Sequence, residues 1–394
     1  MSPLGVYLHV PFCASKCPYC DFYSLAGDES AMDAYTAAAL AGIDAAARVF
    51  APRRADTLYL GGGTPSLLGA ARLGALIGRA RSAFGLSDAE VTVEVNPADG
   101  LRPLFDSLAA AGVGRLSMGL QSAVSAETAF LGRRHTPQQA ADAVRDARAA
   151  GIGNISLDLM LGIPQQTAES VEQSIDFCAA LGVDHISAYL LKVEEGTPFA
   201  RRGVGALCPD EDAQADIYLR AVELLGQRGY RQYEISNFAR PGRESRHNLK
   251  YWNREDYLGI GPAAHGCVGG ARYYFPRDLR GFVENPAAVL SERDDEPLAL
   301  EAVAARAAKG ATGPEALGEY LMLRLRLAAG FDYRETRARF PAFDPSPLPR
   351  AAAPMARAGL CQINESGIAL TPRGFLVSNA VIARLLDALP GAIY

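Results

Sequence analysis

The sequence predicts an α/β protein: a partial (β/α)6 TIM-like barrel followed by a smaller, mostly helical C-terminal domain. Three observations carry that prediction. Six short apolar runs recur between residues 4 and 190, alanine-rich amphipathic segments fill the gaps, and glycines or polar residues follow the end of every run. A doubly wound sheet shows the same alternation, so the rhythm alone does not separate it from a barrel.

The strand-like runs are Leu4–Val10, Thr57–Leu60, Val91–Val95, Arg115–Met118, Ile155–Leu159 and His185–Leu190. Helical periodicity marks Ala31–Arg48, Ala70–Phe84, Pro103–Ala110, Pro137–Ala150 and Ala168–Ala180. The first run leads to three cysteines, the second to Gly61-Gly62-Gly63-Thr64-Pro65, and the third ends at Glu94-Val95-Asn96-Pro97. The fourth reaches Gly119-Leu120-Gln121, the fifth carries Asp158 before Gly162-Ile163-Pro164, and the sixth enters Tyr189 and Glu194-Glu195-Gly196-Thr197. Polar groups gathered at the C-terminal ends of parallel strands are where barrel active sites sit. Any one of these segments alone is ordinary turn chemistry.

Beyond residue 200 the rhythm weakens. Asp210–Arg228 is expected as a helix and Gly229–Asn237 as a further strand, while Pro262–Gly281 is rich in glycine and aromatics. Leu317–Ala329 is expected as an amphipathic helix, Pro341–Pro354 as a proline-rich connector, and Val377–Leu389 as a closing helix. The expected division is a core over 1–235, a connecting segment over 236–300 and a C-terminal domain over 301–394.

Composition excludes several classes. The net charge of −5 over 394 residues argues against electrostatic binding to nucleic acid. No window holds eighteen apolar residues, so no transmembrane segment is expected. Met1–Gly5 runs straight into apolar Val6–Val10, so no signal peptide is expected either. Seven cysteines are too few for a disulfide scaffold, and Cys178, Cys208, Cys267 and Cys361 lie far apart, as small buried hydrophobes do. A reducing cytoplasm fits best.

The other three cysteines stand together in "HVPFCASKCPYCDF", as Cys13, Cys17 and Cys20. A structural zinc site wants four ligands, and the next cysteine is Cys178; His9 sits inside a strand beside a proline. Cys17-Pro18-Tyr19-Cys20 is a redox-type CxxC, but it leaves Cys13 unexplained. An iron–sulfur cluster normally takes four thiolates, so three would leave one iron open.

That CxxxCxxC spacing in the loop after the first strand, with Tyr19 before the last cysteine, resembles the signature of the radical S-adenosylmethionine superfamily. The resemblance implies a [4Fe–4S] cluster on Cys13, Cys17 and Cys20, whose open iron is chelated by the amino and carboxylate groups of S-adenosylmethionine. It further implies cofactor contacts at Tyr7, Tyr19, Gly62, Gly63, Thr64, Glu94, Gln121, Arg133 and Asp158. In that reading Gly61–Gly63 let backbone approach the cofactor without a Cβ. An ordinary structural ion pair is the plain alternative for Arg133 and Asp158.

The stretches "YLHVPFC", "LYLGGGTPSLL", "VEVNP", "LSMGLQS" and "DLMLGIP" resemble the coproporphyrinogen-dehydrogenase branch over most of residues 4–270, as does the C-terminal "EYLMLRLRLAAGF". That branch holds an oxygen-independent porphyrinogen-decarboxylating enzyme and the HemW-type heme chaperones. The enzyme carries a further cysteine two residues after the third; here that position is Phe22, as in the chaperones. The chaperones carry HNxxYW, matched by His247-Asn248-Leu249-Lys250-Tyr251-Trp252. The resemblance therefore favours a chaperone, with heme as ligand and heme-accepting apoproteins such as respiratory cytochromes as partners, and keeps oxygen-independent coproporphyrinogen III dehydrogenase as the alternative. It leaves room for peripheral membrane association and for a homodimer. His247 is the expected axial ligand, with His265 in "GPAAHG" or a cysteine as a second one. The plain alternative for the motif is an aromatic pair packing the second domain on the barrel.

Overall fold

Along the first six strands apolar residues alternate with polar or small ones: Leu4, Val6, Leu8 and Val10 against Tyr7 and His9, or Ile155, Leu157 and Leu159 against Ser156 and Asp158. Period-2 alternation sends the two sets to opposite faces. The apolar set meets the helices and the polar set lines the inside. The computed structural model describes residues 2–389.

The strands are β1 (Leu4–Val10), β2 (Ala55–Gly62), β3 (Glu90–Val95), β4 (Arg115–Gln121), β5 (Asn154–Leu161) and β6 (His185–Leu190). Each pairs in parallel with the next, in sequential order. A doubly wound sheet would reverse direction at a switch point. Sequential order is the winding of a barrel, and here it stays open.

The first helix shows how the sequence secures the packing. Asp28 caps Glu29–Phe50 by accepting from the Ala31 amide at 2.8 Å. Tyr35, Ala39, Ile43, Ala46 and Phe50 recur at three- and four-residue spacing and are buried. Tyr35 also donates to the His9 carbonyl at 2.7 Å, tying the helix to β1. Each large apolar side chain so buried contributes about 1.5–3 kcal/mol.

The sheet runs on past both ends of the barrel. A hairpin of β7 (Arg231–Gln232) and β8 (Asn237–Ala239) pairs antiparallel with β6. At the other edge β9 (Tyr257–Ile260) lies parallel to β1. Beyond it follow β10 (His265–Val268), β11 (Ala271–Tyr274), β12 (Val289–Ser291) and β13 (Pro297–Leu298), giving thirteen strands. The stretch 236–300, expected to connect, thus supplies six strands to the core sheet.

Three other local expectations change. Gly229–Asn237 is not one strand: the chain reverses, with the Tyr233 amide donating to the Asn237 carbonyl at 3.1 Å. The helix expected to reach Ala329 is Pro314–Arg324. It stops because the hairpin takes the next backbone groups, Ile235 N–H donating to Arg326 O and Ala328 N–H to Tyr233 O, both at 3.0 Å. The connector Pro341–Pro354 is partly helix: Leu348–Arg357 contains Pro354, held by burial of Leu348, Ala352 and Met355 on one face. The C-terminal region also carries a small sheet, β14 (Phe331–Asp332), β15 (Cys361–Ile363) and β16 (Gly367–Leu370), in the order β14-β16-β15. Among the described residues no helix is long and apolar enough to cross a membrane.

Candidate functional site

The three cysteines lie on the loop leaving β1, and backbone hydrogen bonds hold its two ends. Cys13 N–H donates to Leu25 O at 3.0 Å, and Phe199 N–H donates to Pro18 O at 2.9 Å. Within the loop Cys20 N–H closes a turn onto Cys17 O at 3.1 Å. All three thiols are free and partly exposed. Burial raises the Cys20 pKa, and the neighbouring Cys17 and Cys13 raise it further. Among the described residues no three ligating side chains close on a single ion.

The ends of β2, β3 and β4 join two of these cysteines through side chains. Cys13 Sγ lies 3.5 Å from Thr64 Oγ1, which accepts from Asn96 Nδ2 at 2.8 Å. Asn96 Oδ1 accepts from Arg133 Nη2 at 2.6 Å, and the same nitrogen donates to Gly119 O at 2.7 Å. Arg133 Nη1 then reaches Cys17 Sγ at 3.7 Å. The guanidinium thus stands directly beside the Cys17 sulfur.

The glycine run packs chain on chain. Gly63 N–H donates to Val10 O at 2.8 Å and Thr64 N–H to Phe12 O at 2.7 Å. A Cβ on Gly63 would lie 2.5 Å from Phe12 O, and one on Gly62, where φ is +107°, would lie 2.5 Å from the His9 ring. At these two positions a side chain would collide with the protein's own β1 segment, so glycine is needed for the packing itself.

Inside the barrel, Glu94 accepts from Tyr59 Oη at 2.8 Å and from Gly62 N–H at 3.0 Å. Burial pushes its carboxyl up to about 7, against the Tyr59 hydrogen bond. Burial also raises Asp158, opposed by hydrogen bonds from Ser187 and Ser117 and by the charges of Arg115 and Arg133. Glu94, Asp158 and Arg115 line one cavity of about 550 Å³ together with Tyr19 and Cys20. Arg115 is buried, with its Nε and Nη1 unpartnered. Two buried carboxyls and one buried guanidinium with free N–H groups thus face the same space, a polar interior that can hydrogen-bond a ligand.

Other expected contacts sit nearby. Tyr19 packs against Phe199 with ring centroids 6.1 Å apart. Tyr7 Oη lies 3.1 Å from His9 Nδ1. Gln121 adopts a positive φ of +69° at a break in β4–β5 register, and its Oε1 accepts from Tyr189 Oη at 3.0 Å. Arg133 opens onto a different cleft with Cys17 and Thr64, apart from the cavity that Glu94 and Asp158 line.

His247, expected as an axial ligand, is held inside the fold. It is buried, on the helix Arg246–Trp252 against the N-terminal part of β2. Its Nδ1 pairs with Thr57 Oγ1 and its Nε2 with Tyr251 Oη, both at 2.8 Å, and its ring stacks on Tyr59. Burial lowers its pKa to about 3. Both nitrogens are occupied, so in this arrangement the ring has no lone pair to offer an iron.

Sequence reasoning missed Asn96, Tyr59 and Arg115. Asn96 and Tyr59 stand inside motifs it quoted, but their partners lie on neighbouring strands and leave no local signal.

Comparison with known proteins follows the same lines. Residues 7–178 match the radical SAM superfamily, and residues 311–377 match the HemN C-terminal domain. The chain is 38% identical to heme chaperone HemW of Mycobacterium tuberculosis, covering 98% of this chain and 95% of that protein. It is 33% identical to heme chaperone HemW of Bacillus subtilis, covering 98% and 100%. The solved structure of coproporphyrinogen III oxidase (HemN) from Escherichia coli superimposes with a TM-score of 0.81 at 24% identity, covering 97% of this chain and 90% of that one.

Proposed function

The chain belongs to the HemW family of the radical SAM superfamily, and from that premise we propose that it is a heme chaperone. In this reading it binds heme, a [4Fe–4S] cluster and S-adenosylmethionine, and passes heme to apoproteins such as respiratory cytochromes. It acts in the cytoplasm, a setting supported by seven cysteines that are all unpaired.

The observation that carries the proposal is the near-complete coverage of proteins named heme chaperone. Phe22 supports it, standing where the resembling decarboxylating enzyme has a cysteine. The cluster would sit on Cys13, Cys17 and Cys20, and when bound it supplies one-electron chemistry and an open iron. Arg133 stands at Cys17 to offset thiolate charge. Glu94 and Asp158 line the cavity beside Cys20 and would hydrogen-bond the S-adenosylmethionine held there. Thr64 and Asn96 keep Cys13 and Arg133 in register.

Anaerobic reconstitution followed by parallel assays for hemin binding and coproporphyrinogen III turnover tests the reading. Tight hemin binding without turnover is expected. Turnover without hemin binding would make the chain an oxygen-independent coproporphyrinogen III dehydrogenase instead.

A further inference from the structure

The chain has five histidines, and three of them have both ring nitrogens paired within the protein. His9 pairs its Nδ1 with Tyr7 Oη at 3.1 Å and its Nε2 with Tyr23 O at 2.9 Å. His185 is held by Ser156 and Tyr233, and His247 by Thr57 and Tyr251. His135 is buried, with Nε2 against Leu120 O.

His265 is different. It opens β10 at the edge of the barrel, its side chain is 52% exposed, and its ring stacks on Tyr274 at 5.4 Å. Its Nδ1 faces Glu292 Oε1 at 3.4 Å, while no protein partner occupies Nε2 among the described residues. A carboxylate beside one imidazole nitrogen helps orient the ring and leaves the other nitrogen outward, the arrangement common behind metal-ligating histidines.

His265 lines a cleft of about 530 Å³ that continues the barrel mouth. Its walls are aromatic, with Tyr23, Tyr251, Tyr274 and Phe275, and Phe22 stands at the opening with 67% of its surface exposed. An exposed phenylalanine over an aromatic-walled cleft suits a flat apolar macrocycle. Arg277 lines the same cleft and meets Asp21 at 3.4 Å in an exposed pair, which is weak enough to exchange for an anionic substituent. Glu94 and Gly62 form the inner wall, so the cleft borders the cysteine-bearing end of the barrel.

Resting on the heme-chaperone reading, we propose that this cleft is the heme seat, with His265 Nε2 as iron ligand, Phe22 against the macrocycle and Arg277 toward a propionate. The test titrates hemin, and separately metal-free protoporphyrin IX, into the full chain and into His265→Ala. Hemin affinity should fall at least about tenfold, a loss seen even for outer-sphere partners of metal ligands, and the Soret band should shift. Protoporphyrin affinity should hold, because only the coordinate bond is gone. Phe22→Ala should weaken both ligands alike, with cluster iron unchanged. Unchanged hemin affinity and spectrum in His265→Ala, or an equal loss for both ligands, would overturn the assignment while leaving heme binding standing. Failure of the unmutated chain to bind hemin would overturn the chaperone reading itself, and this seat with it.

Discussion

Arg133 Nη2 donates to Asn96 Oδ1 at 2.6 Å, and Asn96 Nδ2 donates to Thr64 Oγ1 at 2.8 Å, so one amide joins the ends of β2 and β3 to the loop after β4. Thr64 touches Cys13 and Arg133 touches Cys17. The geometry of the cysteine loop therefore depends on a residue that carries no cofactor chemistry of its own.

Asn96→Ala tests that dependence. It leaves Thr64 and Arg133 each short of a partner, at about 1–3 kcal/mol for the groups that stay buried. All three cysteines remain, so iron should still load, but the cluster should be lost to oxygen or chelator faster. Equal loss rates in the two proteins, measured by iron release, would return Asn96 to a passive role.

Cys13→Ser, Cys17→Ser and Cys20→Ser should each abolish the brown absorbance and most bound iron. Serine replacement of Cys178, Cys208, Cys267 or Cys361 should leave iron content unchanged, since these thiols are distributed elsewhere in the fold. Comparable loss from any of the latter four would mean the ligand set is wrong.

Gly63→Ala should mimic cluster loss with every ligand intact. The new Cβ meets Phe12 O at 2.5 Å, and backbone yields less readily than a side chain. A cost of about 1–3 kcal/mol is expected, together with reduced iron loading because Phe12 precedes Cys13. Full loading at unchanged melting temperature would contradict the packing described for this turn.

His247→Ala should cost stability before it costs heme. It strips Thr57 Oγ1 and Tyr251 Oη of buried partners and leaves a cavity beside Tyr59. Unsatisfied groups alone account for about 1–3 kcal/mol. Thermal denaturation should show the drop while the Soret band of the folded protein keeps its position. A shifted Soret band at unchanged stability would place the ring on iron.

Glu234 sets a pH dependence. It is buried at the β7–β8 turn with Oε1 unpartnered, and burial pushes its carboxyl up to about 7 from 4.5, against hydrogen bonds from Ser236 and Asn237. Between those values the folded chain holds a proton that the unfolded chain has released. Its contribution to stability therefore falls as pH rises from about 4.5 to about 7, by up to the order of 3 kcal/mol. Glu234→Gln should flatten that part of a denaturant-derived stability curve. An identical slope in the variant would show that this carboxyl does not titrate there.

Much of this protein was readable in its sequence because the relevant physics is local. β1 and β6 have the bounds that their apolar runs imply, and the cysteine spacing lies within one loop. Period-2 alternation identified strands, and the polar residues at their ends marked the working face. Failures came where one segment's backbone was claimed by another. The Gly229–Asn237 run folds back on itself and on Arg326–Ala328, which also ends the preceding helix early.

Only the tertiary structure decided the rest. Strand order separated a barrel from a doubly wound sheet, because the same alternation serves both until pairing is known. His247 and His265 look equally able to bind iron as letters, yet one has both nitrogens paired in the interior and the other is half exposed with Nε2 unpartnered among the described residues. Asn96 owes its importance to Thr64 and Arg133, 32 and 37 residues away along the chain. Local pattern specifies which groups a chain possesses. Long-range packing specifies which of them remain unsatisfied, and an unsatisfied group is what a ligand can use.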